Sequence, residues 1–277
     1  MQKHVPPASA IQLGFIGAGK LAGSVIRGLL RKGFCAPEEI IASQPLDDLR
    51  AELAAETGIR VTADNAEVVA AAETILIGVK PTVVLPVIRE AAEALRGKLV
   101  ISLAAGIRIA SMEELADARF LRAMTNTPSA IGRGATAFAP GSRSTEADLA
   151  RVTEIFRAIG TVARVTDDEI DAVTALAGSG PAFVYTVIEA LAAGGVQTGL
   201  PPEVALTLAT QTVLGAAQLA AESELSPEEL RRMVITPGGT TAAGLDAMQR
   251  HGTSAGLVAA VEAAAARGRE MAAPATA

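Results

Sequence analysis

The chain has 277 residues, half of them apolar, 19% charged, with a formal net charge of −6. That apolar content excludes general disorder, and the acidic balance without a Lys/Arg run argues against a nucleic-acid partner. The single cysteine, Cys35, excludes an intrachain disulfide framework. With His4 and His251 far apart in sequence, no metal site is expected either. Met1 to Ala10 contains two prolines and no apolar h-region, so it does not read as a secretory signal, and a cytoplasmic location is expected.

In chain order, Ile11–Ile16 reads as a short apolar strand, followed by a glycine turn and an apolar-periodic helix through about Leu30. Ile40–Ala42 and Ile59–Val61 are further strands. Thr74–Val79 is a buried strand, and Pro81 after it suits a first helical position. Leu99–Leu103 is the next strand, and Ser111-Met-Glu-Glu114 has the spacing of a capping box opening a short helix. Phe120–Met124, Ala135–Ala139 and Val162–Val165 complete the strands, with a helix near Glu146–Ile159. Repeated β-α-β units imply a mostly parallel, doubly wound Rossmann-type sheet with helices on both faces.

After residue 165 only helices are expected: Asp168–Leu176, Ala182–Gly195, Pro202–Glu222, Pro227–Met233, Ala242–His251 and Ser254–Met271, with a frayed tail from Ala272. Gly178-Ser-Gly-Pro181 reads as a helix break with proline restarting the next helix. The expected domains are therefore 1–165, dinucleotide-binding, and 166–277, all-helical. Val204–Ala221 carries no charge over eighteen residues, long enough to span a bilayer. Its Thr207, Thr210, Gln211, Thr212 and Gln218 favour burial in a large core or a subunit interface, and no membrane partner is expected.

Gly14-Phe-Ile-Gly17-Ala18-Gly19-Lys20-Leu21-Ala22 joins the first strand to the first helix. Gly17 serves the tight turn, Gly19 lets backbone approach a pyrophosphate, and Ala22 is the small residue where helix packs on strand. The second strand ends in Ser43-Gln44-Pro45, without the acid that binds a ribose 2′-hydroxyl, so NADP(H) is expected to be preferred, with NAD(H) as the alternative. Lysine is confined to Lys3, Lys20, Lys32, Lys80 and Lys98, so the helical part holds no lysine acid or base, and Tyr185 lies in an apolar helix. A reductase without an evident proton donor suits a protonated imine, which accepts hydride directly, better than a carbonyl. Thr236-Pro-Gly-Gly-Thr-Thr241 offers amides and hydroxyls at a helix N-terminus, either as a carboxylate receptor or as an ordinary threonine-capped turn. Lys80 reads either as a ribose or phosphate contact or as a solvated loop lysine. Asn126-Thr-Pro128 follows a strand end, where such sheets bind ligands, or is a plain turn.

The segments Gly14–Ala22, Val79-Lys-Pro81, Ala104-Ala-Gly106, Met124-Thr-Asn-Thr-Pro128, Ala177-Gly-Ser-Gly-Pro-Ala182 and Thr236–Thr241, in this order, resemble the pyrroline-5-carboxylate reductase family. The resemblance spans about Ile11 to Glu270, and its last two segments together are highly specific. It implies a Rossmann domain followed by a helical dimerisation domain, and NAD(P)H-dependent reduction of 1-pyrroline-5-carboxylate to L-proline, the last step of proline biosynthesis. It implies a homodimer, with dimers assembling into a ring as an open extension, which would account for Val204–Ala221. By the same resemblance Thr241 contacts the ring nitrogen, and Thr236, Gly238, Gly239 and Thr240 receive the carboxylate. Glu224 and Asp167 would border the substrate. Gly17, Ala18, Gly19, Lys20, Leu21, Ser43, Gln44 and Asn65 would contact the coenzyme near its pyrophosphate and adenosine ribose. Val79, Lys80, Pro81, Leu103, Ala104 and Ala105 would lie toward the nicotinamide, with Asn126 a further coenzyme contact. Thr236 stands where the family usually has serine. Two other readings stay open: a related two-domain NADP oxidoreductase for another imine or carbonyl acid, and a non-enzymatic dinucleotide sensor.

Overall fold

A computed structural model describes residues 12–272. The leader with Lys3 and His4, and the tail beyond Ala272 that was expected to fray, lie outside the described residues. The chain forms two compact units, one running up to Ser179 and including the stretch from Ala264 on, the other Gly180–Ala263.

In the first unit the strands are β1 (Leu13–Ile16), β2 (Ile40–Ser43), β3 (Arg60–Thr62), β4 (Thr74–Ile77), β5 (Leu99–Ser102), β6 (Arg119–Met124), β7 (Gly134–Pro140) and β8 (Gly160–Arg164). They form one sheet in the order β3-β2-β1-β4-β5-β6-β7-β8. All neighbours are parallel except β6 and β7. The strands were legible because side chains alternate between two covered faces. Leu13 and Phe15, Leu76, Leu99 and Ile101, and Leu121 pack on one face. Ile16, Ile75 and Ile77, Val100, and Phe120 and Met124 pack on the other.

The helices of this unit are α1 (Lys20–Arg31), α2 (Asp47–Thr57), α3 (Asn65–Ala71), α4 (Pro81–Glu90), α5 (Ile109–Glu113), α6 (Glu146–Arg157) and α7 (Ile170–Val173). One expectation fails here. Ser111 does not open α5; it lies inside it, and Arg108 is the N-cap. Burial of both Ile109 and Met112 draws the helix start three residues upstream, and the Ile109 N–H is met by Asp167 Oδ2 at 3.2 Å rather than by a local side chain. Cys35 is buried, and burial pushes its thiol up to about 11, which keeps it protonated and unreactive at neutral pH.

After α7 the backbone widens into a π-helical turn, Thr174–Gly178, and α8 (Gly180–Gln197) resumes one residue later. The expected break at Gly178–Pro181 is thus a register change within an almost continuous helical run. The proline sits in the first turn of α8, where its missing N–H costs no helical bond. The remaining helices are α9 (Pro202–Glu222), α10 (Pro227–Met233), α11 (Thr240–Arg250) and α12 (Thr253–Ala272).

In the second unit, the uncharged α9 is not a core helix of this chain. Only Ala205 and Ala209 are buried, by packing with α8, while Leu206, Leu208, Leu214 and Leu219 are exposed. Asp167–Gln197 and Pro202–Glu222 are each long and apolar enough to cross a bilayer by length and composition.

Candidate active site

The first set of candidate residues gathers at the C-terminal ends of β1, β2 and β4, where the sheet order reverses. Gly17 leaves β1 with φ +85°, a conformation L side chains rarely adopt. A Cβ there would run into Val79 Cγ1 and lie 3.0 Å from the Val79 backbone nitrogen. Gly78 packs as closely: its Cβ would come within 2.6 Å of the Ala22 methyl. These contacts bring α1 down onto the strand ends, as the small residue at Ala22 predicts.

Gly19 differs from both. Its φ is an ordinary −72°, and the nearest protein atom to an added Cβ is the Gly78 carbonyl oxygen at 4.0 Å. The protein's own packing therefore does not require glycine here. Gly19 is the N-cap of α1 and places no side chain over the first amides of the helix. That open, unobstructed N-terminus has the character of an anion receptor, and it fits the pyrophosphate of a dinucleotide.

Ser43 holds the turn in place from β2. The Gly17 N–H donates to Ser43 Oγ at 3.0 Å, the Ala18 N–H to the Ser43 carbonyl at 2.9 Å, and the Ser43 hydroxyl donates to Asn65 Oδ1 at 2.6 Å. The Gln44 amide reaches the Ala18 carbonyl at 3.4 Å, and its Oε1 accepts from the Leu46 N–H at 3.3 Å. Ser43, Gln44 and Asn65 thus converge on the glycine turn, their polar atoms largely committed to one another. Lys80 is exposed and is the N-cap of α4, with Pro81 as its first residue. Leu103 and Ala104 are buried beyond the end of β5, and Val79 and Ala105 are half-buried.

Asn126 and Asp167 are placed among protein partners. Asn126 donates to the Ala177 carbonyl in the π-helical turn at 3.1 Å and accepts from the Ala135 N–H at 3.0 Å. Asp167 belongs to a cluster that sequence reading missed. The wholly buried Arg122 donates to Asp167 Oδ1 at 2.6 Å and to Asp171 Oδ1 at 3.3 Å. Arg108 donates to Asp171 Oδ2 at 3.0 Å and Asp168 Oδ1 at 3.1 Å. Among the described residues, Arg122 Nε is the one fully buried side-chain nitrogen or oxygen without a hydrogen-bond partner.

In the second unit, Thr236–Gly239 forms the turn before α11. Gly238 has φ +71°, and Gly239 is the N-cap without a side-chain cap. Thr240 and Thr241 are the first two residues of the helix, so the threonine-capped alternative does not hold: glycine occupies the cap position. Among the described residues, the hydroxyls of Thr236, Thr240 and Thr241 have no hydrogen-bond partner. Thr186, Thr207 and Thr210, within α8 and α9, each bond the carbonyl four residues back. Thr241 is half-buried, and Glu224 is exposed between α9 and α10. No group of three or more His, Cys, Asp or Glu able to hold a metal ion occurs among the described residues.

Sheet order and glycine turn define a dinucleotide-binding α/β protein carrying a C-terminal helical unit. The family model for pyrroline-5-carboxylate reductase dimerisation matches residues 167–271, and that for NADP oxidoreductase, coenzyme F420-dependent, matches residues 12–106. The chain is 42% identical over 261 residues to a pyrroline-5-carboxylate reductase of Pisum sativum, covering 94% of this chain and 95% of that protein. It is 40% identical over 263 residues to one of Methanosarcina acetivorans, covering 94% and 97%. A crystal structure of Plasmodium falciparum pyrroline carboxylate reductase with NADP bound superposes with a TM-score of 0.87 at 28% identity, covering 95% of this chain and 98% of that one. The chain belongs to the pyrroline-5-carboxylate reductase family.

Proposed function

We propose that this protein reduces 1-pyrroline-5-carboxylate to L-proline with NAD(P)H, the closing step of proline biosynthesis. The observation that carries the reading is a pair of helix starts. Both α1 and α11 begin on glycine N-caps, which place no side chain over their first amides; α3, α6 and α10 are closed by Asp64, Thr145 and Ser226, and α2, α4, α5 and α9, though without a side-chain cap bond, carry Leu46, Lys80, Arg108 and Pro201 at that position. One suits a pyrophosphate and the other a carboxylate, the two anionic groups of a coenzyme and an imino acid. The bound nicotinamide would supply hydride for the imine carbon. In this reading Gly19, Lys20 and Leu21 seat the pyrophosphate. Ser43, Gln44 and Asn65 fix the turn beside the adenosine ribose, and Val79, Lys80, Pro81, Leu103, Ala104 and Ala105 border the nicotinamide. Thr236, Gly238, Gly239 and Thr240 receive the carboxylate, and the Thr241 hydroxyl holds the ring nitrogen.

NADPH is the preferred reductant in this reading, because β2 ends in neutral side chains where an acid would favour the 2′-hydroxyl. The exposed leucines of α9 support a homodimer in which a second copy covers them, and a single cysteine suits a reducing, cytoplasmic setting. The test is consumption of each coenzyme with 1-pyrroline-5-carboxylate and chemical detection of L-proline. Proline formation, faster with NADPH, is expected. Coenzyme binding without turnover would make the protein a sensor, and equal or better use of NADH would reverse the preference. Thr241→Ala is expected to lower kcat/KM for the imine by about tenfold or more, the scale of one hydrogen bond to a charged group. An unimpaired variant removes Thr241 from the site.

A further inference from the structure

The preference for NADPH requires a group that recognises the 2′-phosphate, and the neutral side chains at the end of β2 do not provide it. The Ser43 hydroxyl is shared between the Gly17 N–H and Asn65, and both ends of the Gln44 amide are engaged. The charge at this position comes from one turn into α2. Arg50 reaches back over the end of β2, and its Nη1 donates to the Gln44 carbonyl at 2.8 Å and the Pro45 carbonyl at 2.9 Å. Its Nη2 lies 2.5 Å from Asp47 Oδ1. The guanidinium is therefore anchored by backbone, with its side chain 23% exposed, whereas the Asp47 side chain is 88% exposed.

We infer that Arg50 is the specificity-determining residue for the coenzyme, and that it receives the 2′-phosphate of NADP(H). The assignment rests on the coenzyme reading above. Two backbone carbonyls hold the guanidinium at the strand end beside which the adenosine ribose lies in doubly wound sheets. A doubly charged phosphate is a stronger partner than one exposed carboxylate, and Asp47 has the solvent access to swing aside. With no phosphate present, Asp47 serves as the competing anion, so removing its charge strengthens phosphate binding. Asp48, the other acid in the first turn of α2, makes no hydrogen bond to Arg50.

The test is calorimetric titration of the full chain with adenosine 2′,5′-bisphosphate and with 5′-AMP, which differ only in the phosphate at issue. Arg50→Gln is expected to weaken the bisphosphate about tenfold or more while 5′-AMP stays within about twofold. Arg50→Lys is expected to recover part of the loss, and Asp47→Asn to tighten the bisphosphate above the wild type. Parallel loss of both ligands in Arg50→Gln would reduce Arg50 to a brace of the β2–α2 turn and overturn the assignment, as would weaker bisphosphate binding by Asp47→Asn. A wild-type chain that binds neither ligand would overturn the coenzyme reading itself, and this assignment with it.

Discussion

Arg122→Ala is expected to lower the free energy of unfolding by about 3–5 kcal/mol, the cost of breaking a buried ion pair by removing one partner. Arg122 is wholly buried on β6, and the Asp171 side chain is only 3% exposed. Without the arginine, Asp171 keeps a single guanidinium, that of Arg108, and Asp167 keeps the Ile109 N–H. Urea denaturation followed by circular dichroism measures the loss. Adding Asp171→Asn to Arg122→Ala is expected to restore part of it, since the second change neutralises the stranded carboxylate. A loss below about 1 kcal/mol for Arg122→Ala would mean the site relaxes or hydrates and the cluster does not hold β6 to α7.

The second large effect separates two glycines of the same turn. Gly19→Ala is expected to leave the thermal midpoint nearly unchanged, because its φ is ordinary and no protein atom lies closer than 4.0 Å to the new methyl. Coenzyme affinity should nevertheless fall by about tenfold or more, since the methyl occupies the approach to the first amides of α1. Gly17→Ala should do both kinds of damage. The left-handed conformation alone costs about 1–2 kcal/mol, and its Cβ meets Val79. Dinucleotide titration beside differential scanning fluorimetry distinguishes the two variants. A Gly19→Ala protein that binds coenzyme normally would show that the pyrophosphate is not seated there.

The turn was legible in sequence because all of its determinants are local: an apolar strand, three small residues at fixed spacing and an amphipathic helix follow one another. The strands were legible through burial on both faces, with ends shifting by one or two residues, as from Ile59–Val61 to Arg60–Thr62. The ionic cluster left no such mark. Its members come from β6, the start of α5, the approach to α7 and α7 itself, with Arg122 and Asp171 49 residues apart in sequence, and no short-range pattern encodes a pairing at that distance. Asp167, singled out in the sequence as bordering the substrate, has a carboxylate with two protein partners that the sequence did not announce. Ser111 shows the converse failure, a local motif overruled by the burial of Ile109. A spacing of the same kind, Thr145 to Asp148, does form a reciprocal cap at α6, where the residues upstream are not drawn into a core. Arg50 was invisible for another reason. Its role depends on which carbonyls it reaches, and the sequence shows only a helical arginine three residues after an aspartate.

Ser43 joins the two amides that shape the glycine turn to the side chain that opens α3, and it does so with groups of the chain alone. The loop is therefore rigid before any nucleotide arrives, and the entropy of ordering it was lost when the chain folded. Capture should then resemble a key entering a fixed lock, with association rates set by encounter and orientation, not by a slow rearrangement. Affinity differences among adenine nucleotides should accordingly appear in how long each one stays.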